Sequence, residues 1–225
     1  MNASRWPHGG LYLLTPDEAD TTRLLARVAE VLHPDRVALL QYRNKPALPT
    51  LRVEQALALR ALSRERGVPF IINDDVALAA SVGADGVHLG ADDGDLTAAR
   101  QRLGADAIVG ASCYGDLDRA ACASAAGADY LAFGAFHASA TKPAARRADH
   151  ALVAAAARFR LPRVAIGGID AQNAAATAAS GAEFLAVIGG VFGAADPPRA
   201  AAAIAAAIAA ARADRAIPDF DKDPR

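Results

Sequence analysis

Eight short apolar segments, each followed by a helix-forming stretch, constrain this chain more than any other feature of its sequence. The segments fall at residues 11–15, 37–43, 70–73, 86–89, 107–112, 130–134, 163–168 and 184–189. Runs of this length that are apolar on both faces read as strands of a parallel sheet buried under helices. Between them, stretches such as 16–32, 50–67, 75–82 and 116–127 carry helix formers, with acids or Pro near their starts and several Gly stops. Eight strand-helix units are what a closed (β/α)8 TIM barrel needs, and 225 residues suit one such α/β domain. An open doubly wound sheet is the alternative, although no G-x-G-x-x-G follows the first segment. An alanine-rich stretch at 197–212 is expected to close the outer ring. The barrel domain is thus expected over residues 1–216, with 217–225, mixed in Pro and charge, as a frayed polar tail.

Bulk properties narrow the function classes. The 24 basic and 25 acidic residues leave a formal charge of −1, so bulk charge favours no nucleic-acid surface, and any anion site must be local. No apolar stretch is both long and bulky enough to span a bilayer, and residues 1–6 lack the apolar core of a signal peptide. A cytoplasmic protein acting on small molecules is expected, with a homo-oligomer compatible with everything above. Cys113 and Cys122 are too few for a disulfide framework and have no zinc-like partners nearby. The triplets Gly83-Ala84-Asp85, Gly127-Ala128-Asp129 and Gly181-Ala182-Glu183 repeat between a helix and the next strand. There Gly ends the helix and the acid begins the strand at the non-catalytic end, so these acids are assigned no chemistry.

The candidate chemistry lies at the other end. Phe70-Ile71-Ile72 runs straight into Asn73-Asp74-Asp75, and one unit later Gly86-Val87-His88-Leu89 runs into Gly90-Ala91-Asp92-Asp93. Hard oxygen ligands on neighbouring strand ends suit Mg²⁺, although any single Asp there is equally suited to cap the next helix. In Gln41-Tyr42-Arg43-Asn44-Lys45, alternate side chains share a face, so Gln41, Arg43 and Lys45 converge on one rim. An amide and two cations opposite a carboxylate-bound Mg²⁺ form a holder for a pyrophosphate ester. Ser139, Thr141 and Lys142 bring two hydroxyls and an ammonium to the loop after the sixth strand. Gly167-Gly168 and Gly189-Gly190 follow the seventh and eighth strands, where barrels often bind a monophosphate through backbone N–H groups. Ser112 lacks an evident base and is read as a hydrogen-bonding residue. Among the histidines, His88 reads as a packed or supporting group, and His137 is the first place a base would be sought.

Taken in order from about residue 11 to 197, these segments resemble the thiamine phosphate synthase, or thiamine-phosphate pyrophosphorylase, family. The matching pieces are Gln41-Tyr42-Arg43-Asn44-Lys45, Ile72-Asn73-Asp74-Asp75, Gly83 to Gly90, Gly110-Ala111-Ser112, Thr141-Lys142, Ile166-Gly167-Gly168-Ile169 and Ala186-Val187-Ile188. The resemblance implies a barrel enzyme, a transferase, that joins hydroxymethylpyrimidine diphosphate to a thiazole phosphate or its carboxylate. Pyrophosphate leaves, and Mg²⁺ is required. It implies that Gln41, Arg43, Lys45, Asn73, Ser112 and Lys142 contact the pyrimidine diphosphate, with Arg43, Lys45 and Lys142 carrying the catalytic charge. Asp74 and Asp93 become metal ligands, and Ser139, Thr141, Gly168, Ile188 and Gly189 fall on the thiazole phosphate positions. The chain departs from the family pattern at Ala91, Ala138, Ser139 and Gly189, where Gln, Pro, Thr and Ser are usual. A thiazole tautomerase of the related subfamily is the competing enzyme reading, but its histidine would align at Ala135, two positions before His137. An inactive barrel that serves only to bind is the third.

Overall fold

The computed structural model describes residue 7, residues 9–138 and residues 148–214. Eight strands close into one parallel barrel in chain order: β1 Gly10–Leu14, β2 Val37–Tyr42, β3 Phe70–Asn73, β4 Gly86–Leu89, β5 Ile108–Tyr114, β6 Tyr130–Gly134, β7 Arg163–Ile166 and β8 Phe184–Val187. Strand β1 pairs with both β2 and β8, which completes the ring and excludes the open sheet. The helices are α1 Thr21–Val31, α2 Pro49–Arg66, α3 Val76–Val82, α4 Leu96–Leu103, α5 Leu117–Ala125, α6 His150–Ala155, α7 Ala174–Ala179, α8 Gly189–Phe192 and α9 Pro197–Ala213.

Aspartate sets where most helices begin. Asp20, Asp75, Asp95, Asp116, Asp149 and Asp196 each accept a first-turn backbone N–H. Such caps satisfy donors that the helix itself cannot pair. They also move the boundaries: α1 starts after Asp20, five residues later than the sequence pattern suggested. Strand β7 stops at Ile166 because Gly167 and Gly168 take φ values of 105° and 64°, outside the strand region. Past β8, the expected strand end at 188–189 is instead the start of the short helix α8. Of the expected barrel domain, the described residues reach Asp214, and the tail at 217–225 lies outside them.

Alternation along each strand sorts the core into two layers. Leu11 and Leu13 of β1, like Leu40 and Tyr42 of β2, face outward and pack under the helices. Tyr12, Leu14, Leu39, Ile71, Tyr130, Val164 and Phe184 fill the barrel interior. The amino-terminal rim is fastened by the repeated acids. Asp85 accepts from Phe70 N and pairs with Arg60, while Asp129 accepts from Val109 N and pairs with Arg100. Glu183 accepts from Arg163 N and also takes the Arg163 guanidinium in a buried pair. Each acid therefore ties its own strand to the preceding one, and none of the three lines the cavity at the opposite end.

Candidate functional site

A cavity of about 1270 Å³ opens at the carboxyl ends of the strands. Of the residues singled out from the sequence, Gln41, Arg43, Lys45, Asn73, Asp74, Asp93, Ser112, Gly168, Ile188 and Gly189 all line it. Ser139, Thr141 and Lys142 lie outside the described residues. The alternation argument holds for β2: Gln41, Arg43 and Lys45 meet the cavity, whereas the Tyr42 hydroxyl and the Asn44 amide turn away to Gln55.

The charged corner is built from β2, β3 and the loop after β4. Lys45 Nζ lies 3.0 Å from Asp74 Oδ2. Asp74 itself adopts φ 64°, a left-handed backbone that the Asp74 N–H to His88 carbonyl bond, 2.8 Å, helps to hold. The Asp93 carboxylate folds back to accept from Gly90 N at 2.9 Å and is also within hydrogen-bonding contact of Asp74. Burial works to raise the Asp74 carboxyl, but the Lys45 ammonium and the bond with Asp93 outweigh it and hold the group below its ordinary range. Burial and the neighbouring Asp74 carboxylate push Asp93 the other way. The adjacent Asp75 is a helix cap, accepting from Leu78 N at 2.8 Å. Arg43 Nη1 reaches Asp17 Oδ1 at 3.1 Å, and the Arg43 main chain is pinned by two 2.9 Å bonds to the buried Thr15 hydroxyl.

Across the cavity the wall is backbone. A Cβ at Gly168 would meet the Ala138 carbonyl oxygen at 2.2 Å, so no side chain fits between the loops after β6 and β7. Gly189, by contrast, has open space where its Cβ would be. His137, where a base was first sought, is not a lining residue; its Nε2 meets Thr177 Oγ1 of α7 at 3.0 Å, and its N–H donates to Gly167.

The floor holds polar residues that the sequence pattern did not pick out. Tyr12 and Tyr130, both fully buried, bond hydroxyl to hydroxyl at 2.7 Å. The Gln41 amide donates to Tyr12 at 2.7 Å, His88 Nδ1 meets the Tyr130 hydroxyl at 3.0 Å, and His88 Nε2 meets Ser112 Oγ at 2.9 Å. The inward register of Tyr12 on β1 and Tyr130 on β6 was readable, but an inward aromatic on a strand reads first as core, whereas His88 on β4 is the packed, supporting group its apolar neighbours suggested. Tyr114, at the end of β5, also reaches the rim with φ 54°.

Residues 11–191 match the protein family described as thiamine monophosphate synthase. The thiamine-phosphate synthase of Azoarcus sp. (strain BH72) is 57% identical over 201 residues, covering 89% of this chain and 97% of that one. The thiamine-phosphate synthase of Xanthomonas campestris pv. campestris (strain 8004) is 55% identical over 188 residues, covering 84% of this chain and 90% of that one. A solved structure of thiamine phosphate pyrophosphorylase from Pyrococcus furiosus superposes with a TM-score of 0.79 at 31% identity, covering 92% of this chain and 98% of that one.

Proposed function

The chain belongs to the thiamine monophosphate synthase family, and on that premise we propose that its cavity joins a pyrimidinylmethyl diphosphate to a thiazole phosphate, forming thiamine phosphate and pyrophosphate. It is a transferase of the thiamine-phosphate synthase type. One observation supports this assignment above the others: Gln41, Arg43, Lys45, Asp74 and Asp93, from three separate stretches of chain, line one cavity whose far wall is glycine backbone. No described helix is long and apolar enough to cross a membrane, and a cytoplasmic location is part of the proposal.

In this reading Arg43 and Lys45 grip the diphosphate, Asn73 and Ser112 bond to it, and Lys142 joins them from the loop after β6. The wall at Gly168, Ile188 and Gly189, with Ser139 and Thr141, takes the thiazole phosphate. Asp74 and Asp93 would hold Mg²⁺. Their carboxyls touch each other and raise the Asp93 proton affinity, which suits a divalent ion completing its shell with water and phosphate oxygens. When bound, that ion supplies positive charge against the departing pyrophosphate. The carbon–oxygen bond to the diphosphate breaks with both electrons going to pyrophosphate, whose charge Arg43, Lys45 and Lys142 offset. The thiazole nitrogen then forms the carbon–nitrogen bond with its own lone pair, so the step needs no protein base or nucleophile, and the site's remaining work is alignment.

A coupled assay for pyrophosphate, with product identified by mass, tests the reading. Purified chain with both substrates and Mg²⁺ should form thiamine phosphate, and Asp93→Ala or chelator should depress the rate at least about a hundredfold. Full activity in chelator would remove the metal assignment. Turnover of the thiazole alone, with no coupled product, would select the tautomerase.

A further inference from the structure

The floor residues form one continuous row across the barrel: Gln41, Tyr12, Tyr130, His88 and Ser112, each bonded to the next at 2.7–3.0 Å. The row exists because of Gly110. His88, Gly110 and Tyr130 are register partners on β4, β5 and β6. With no side chain between them, the Tyr130 ring leans over β5 and stacks on His88, with centroids 5.5 Å apart and planes at 11°. Both ends of the row line the cavity. At one end Gln41, 2% exposed, has its Oε1 buried with no hydrogen-bond partner among the described residues. At the other, the Ser112 hydroxyl meets His88 Nε2 and lines the same cavity as Lys45, Asp74 and Asp93.

We propose that Tyr12, Tyr130 and His88 are positioning residues that fix the direction of this row, aiming the Gln41 carbonyl and the Ser112 hydroxyl hydrogen at one ligand. Such a ligand must offer an N–H at one end and an anionic oxygen at the other. An aminopyrimidine carrying a diphosphate offers both, and to that extent the proposal rests on the function assigned above.

The direction follows from counting hydrogens. Burial holds both phenols well above the ordinary tyrosine range, so each keeps its single hydrogen. An amide nitrogen only donates. The Tyr12 oxygen therefore accepts from Gln41 and spends its hydrogen on Tyr130. Tyr130 in turn donates to His88 Nδ1, which places the imidazole hydrogen on Nε2. That hydrogen goes to Ser112 Oγ, and the serine hydrogen is left to donate into the cavity. Turning the Gln41 amide over reverses every bond: His88 would carry its hydrogen on Nδ1, and Ser112 would spend its hydrogen on Nε2. Lone pairs would then face the anionic ligand. Two self-consistent states exist, and only one suits a diphosphate.

Nitrogen-15 NMR of the histidine-labelled full chain, without ligand and at about pH 8, separates them directly. The His88 resonances are identified by their loss in His88→Gln. The wild-type chain should show His88 protonated on Nε2, and Tyr12→Phe, which removes the hydroxyl that relays the direction, should mix the two tautomers. The same variant should raise KM for the pyrimidine diphosphate about tenfold, the loss of roughly one well-formed hydrogen bond, with kcat and the thiazole phosphate KM within about twofold. Wild-type His88 protonated on Nδ1 would overturn the proposal. So would a Tyr12→Phe chain that keeps its His88 tautomer and its KM, whatever its melting temperature, because that is how a merely structural tyrosine behaves. If the wild-type chain made no coupled product, the assigned reaction would fall, and the tautomer would still decide the row.

Discussion

Gly110→Ala tests the packing on which the barrel floor depends. The structure places the added Cβ 1.9 Å from Tyr130 Cζ and 2.3 Å from the ring's Cε1 and hydroxyl oxygen. Tyr130 is fully buried, with its ring edge-on to Tyr12 and stacked on His88, so any retreat of the ring disturbs both contacts. Gly110 is in a strand, and removing a glycine from the unfolded chain would alone stabilise by about 0.5 kcal/mol. Against that stand about 1–3 kcal/mol for overpacking and about 1 kcal/mol for each of the two hydroxyl bonds that Tyr130 loses on moving. The net loss comes to about 3 kcal/mol, a large part of the roughly 5–15 kcal/mol that holds a domain folded. With an urea dependence of about 3 kcal/mol per molar, the unfolding midpoint should fall by about 1 M. The cause is checked in a Tyr130→Leu background, which lacks the atoms that clash. There Gly110→Ala should cost nothing or stabilise slightly. An equal loss in both backgrounds would refute the ring as its origin and with it the close passage of Tyr130 over β5.

Three further outcomes follow from particular contacts. Glu18 is held down at about 2 chiefly by its bond to Arg23, against an ordinary 4.5, so its contribution to stability is complete above about 4.5 and fades as pH falls towards 2. Urea midpoints should therefore decline over that window in the wild type and decline less in Glu18→Gln. Cys113 is buried, which pushes its thiol up to about 12, whereas Cys122 is exposed. Iodoacetamide at about pH 8 should label Cys122 alone in the native chain and both in denaturant, as peptide mass mapping will read. Restoring the usual family residue in Gly189→Ser should leave stability within about 0.5 kcal/mol, because the position has open space for a Cβ, and should not raise KM for the thiazole phosphate. A destabilised or weaker-binding variant would mean that the wall at α8 is tighter than it looks.

The sequence made the barrel legible because its signal is repetitive: eight apolar runs, each closed by a polar or glycine-rich exit. Gln41, Arg43 and Lys45 were readable for a simpler reason, that period-2 alternation at a strand exit leaves few other directions. Neighbouring acids were harder. Asp74 and Asp75 adjoin in sequence, yet one faces Lys45 in the cavity and the other caps α3, and only the left-handed turn at Asp74 separates their fates. The acids in the Gly-Ala-acid joints were rightly read as structural, but their arginine partners were not foreseen. Arg60 and Arg100 come from α2 and α4, 25 and 29 residues away, a spacing that no local pattern announces. Tyr12 and Tyr130 were hidden for a related reason: their partnership spans 118 residues and needs a missing side chain on a third strand.

Polar residues inside a barrel call for a physical reason, since an apolar filling of the same volume would do as well or better for stability. Every member of the row from Gln41 to Ser112 is bonded to a neighbour, which removes most of the cost of burying it. One atom is the exception. Gln41 Oε1 is buried with no partner among the described residues, a situation that costs about 1–3 kcal/mol. Turning the amide would only leave its NH2 group bare in the same place, so stability alone would favour replacing it. A ligand that donates to Oε1 would regain the whole amount on binding, so the unpaired acceptor converts a small loss in the free chain into selectivity for molecules bearing an N–H at that point. A ligand without one must leave the acceptor buried and bare, and is penalised by the same amount. The amino-terminal rim, held by Asp85, Asp129 and Glu183, keeps the strands in register meanwhile, so that this loss at the carboxyl-terminal end is carried by a frame fastened elsewhere.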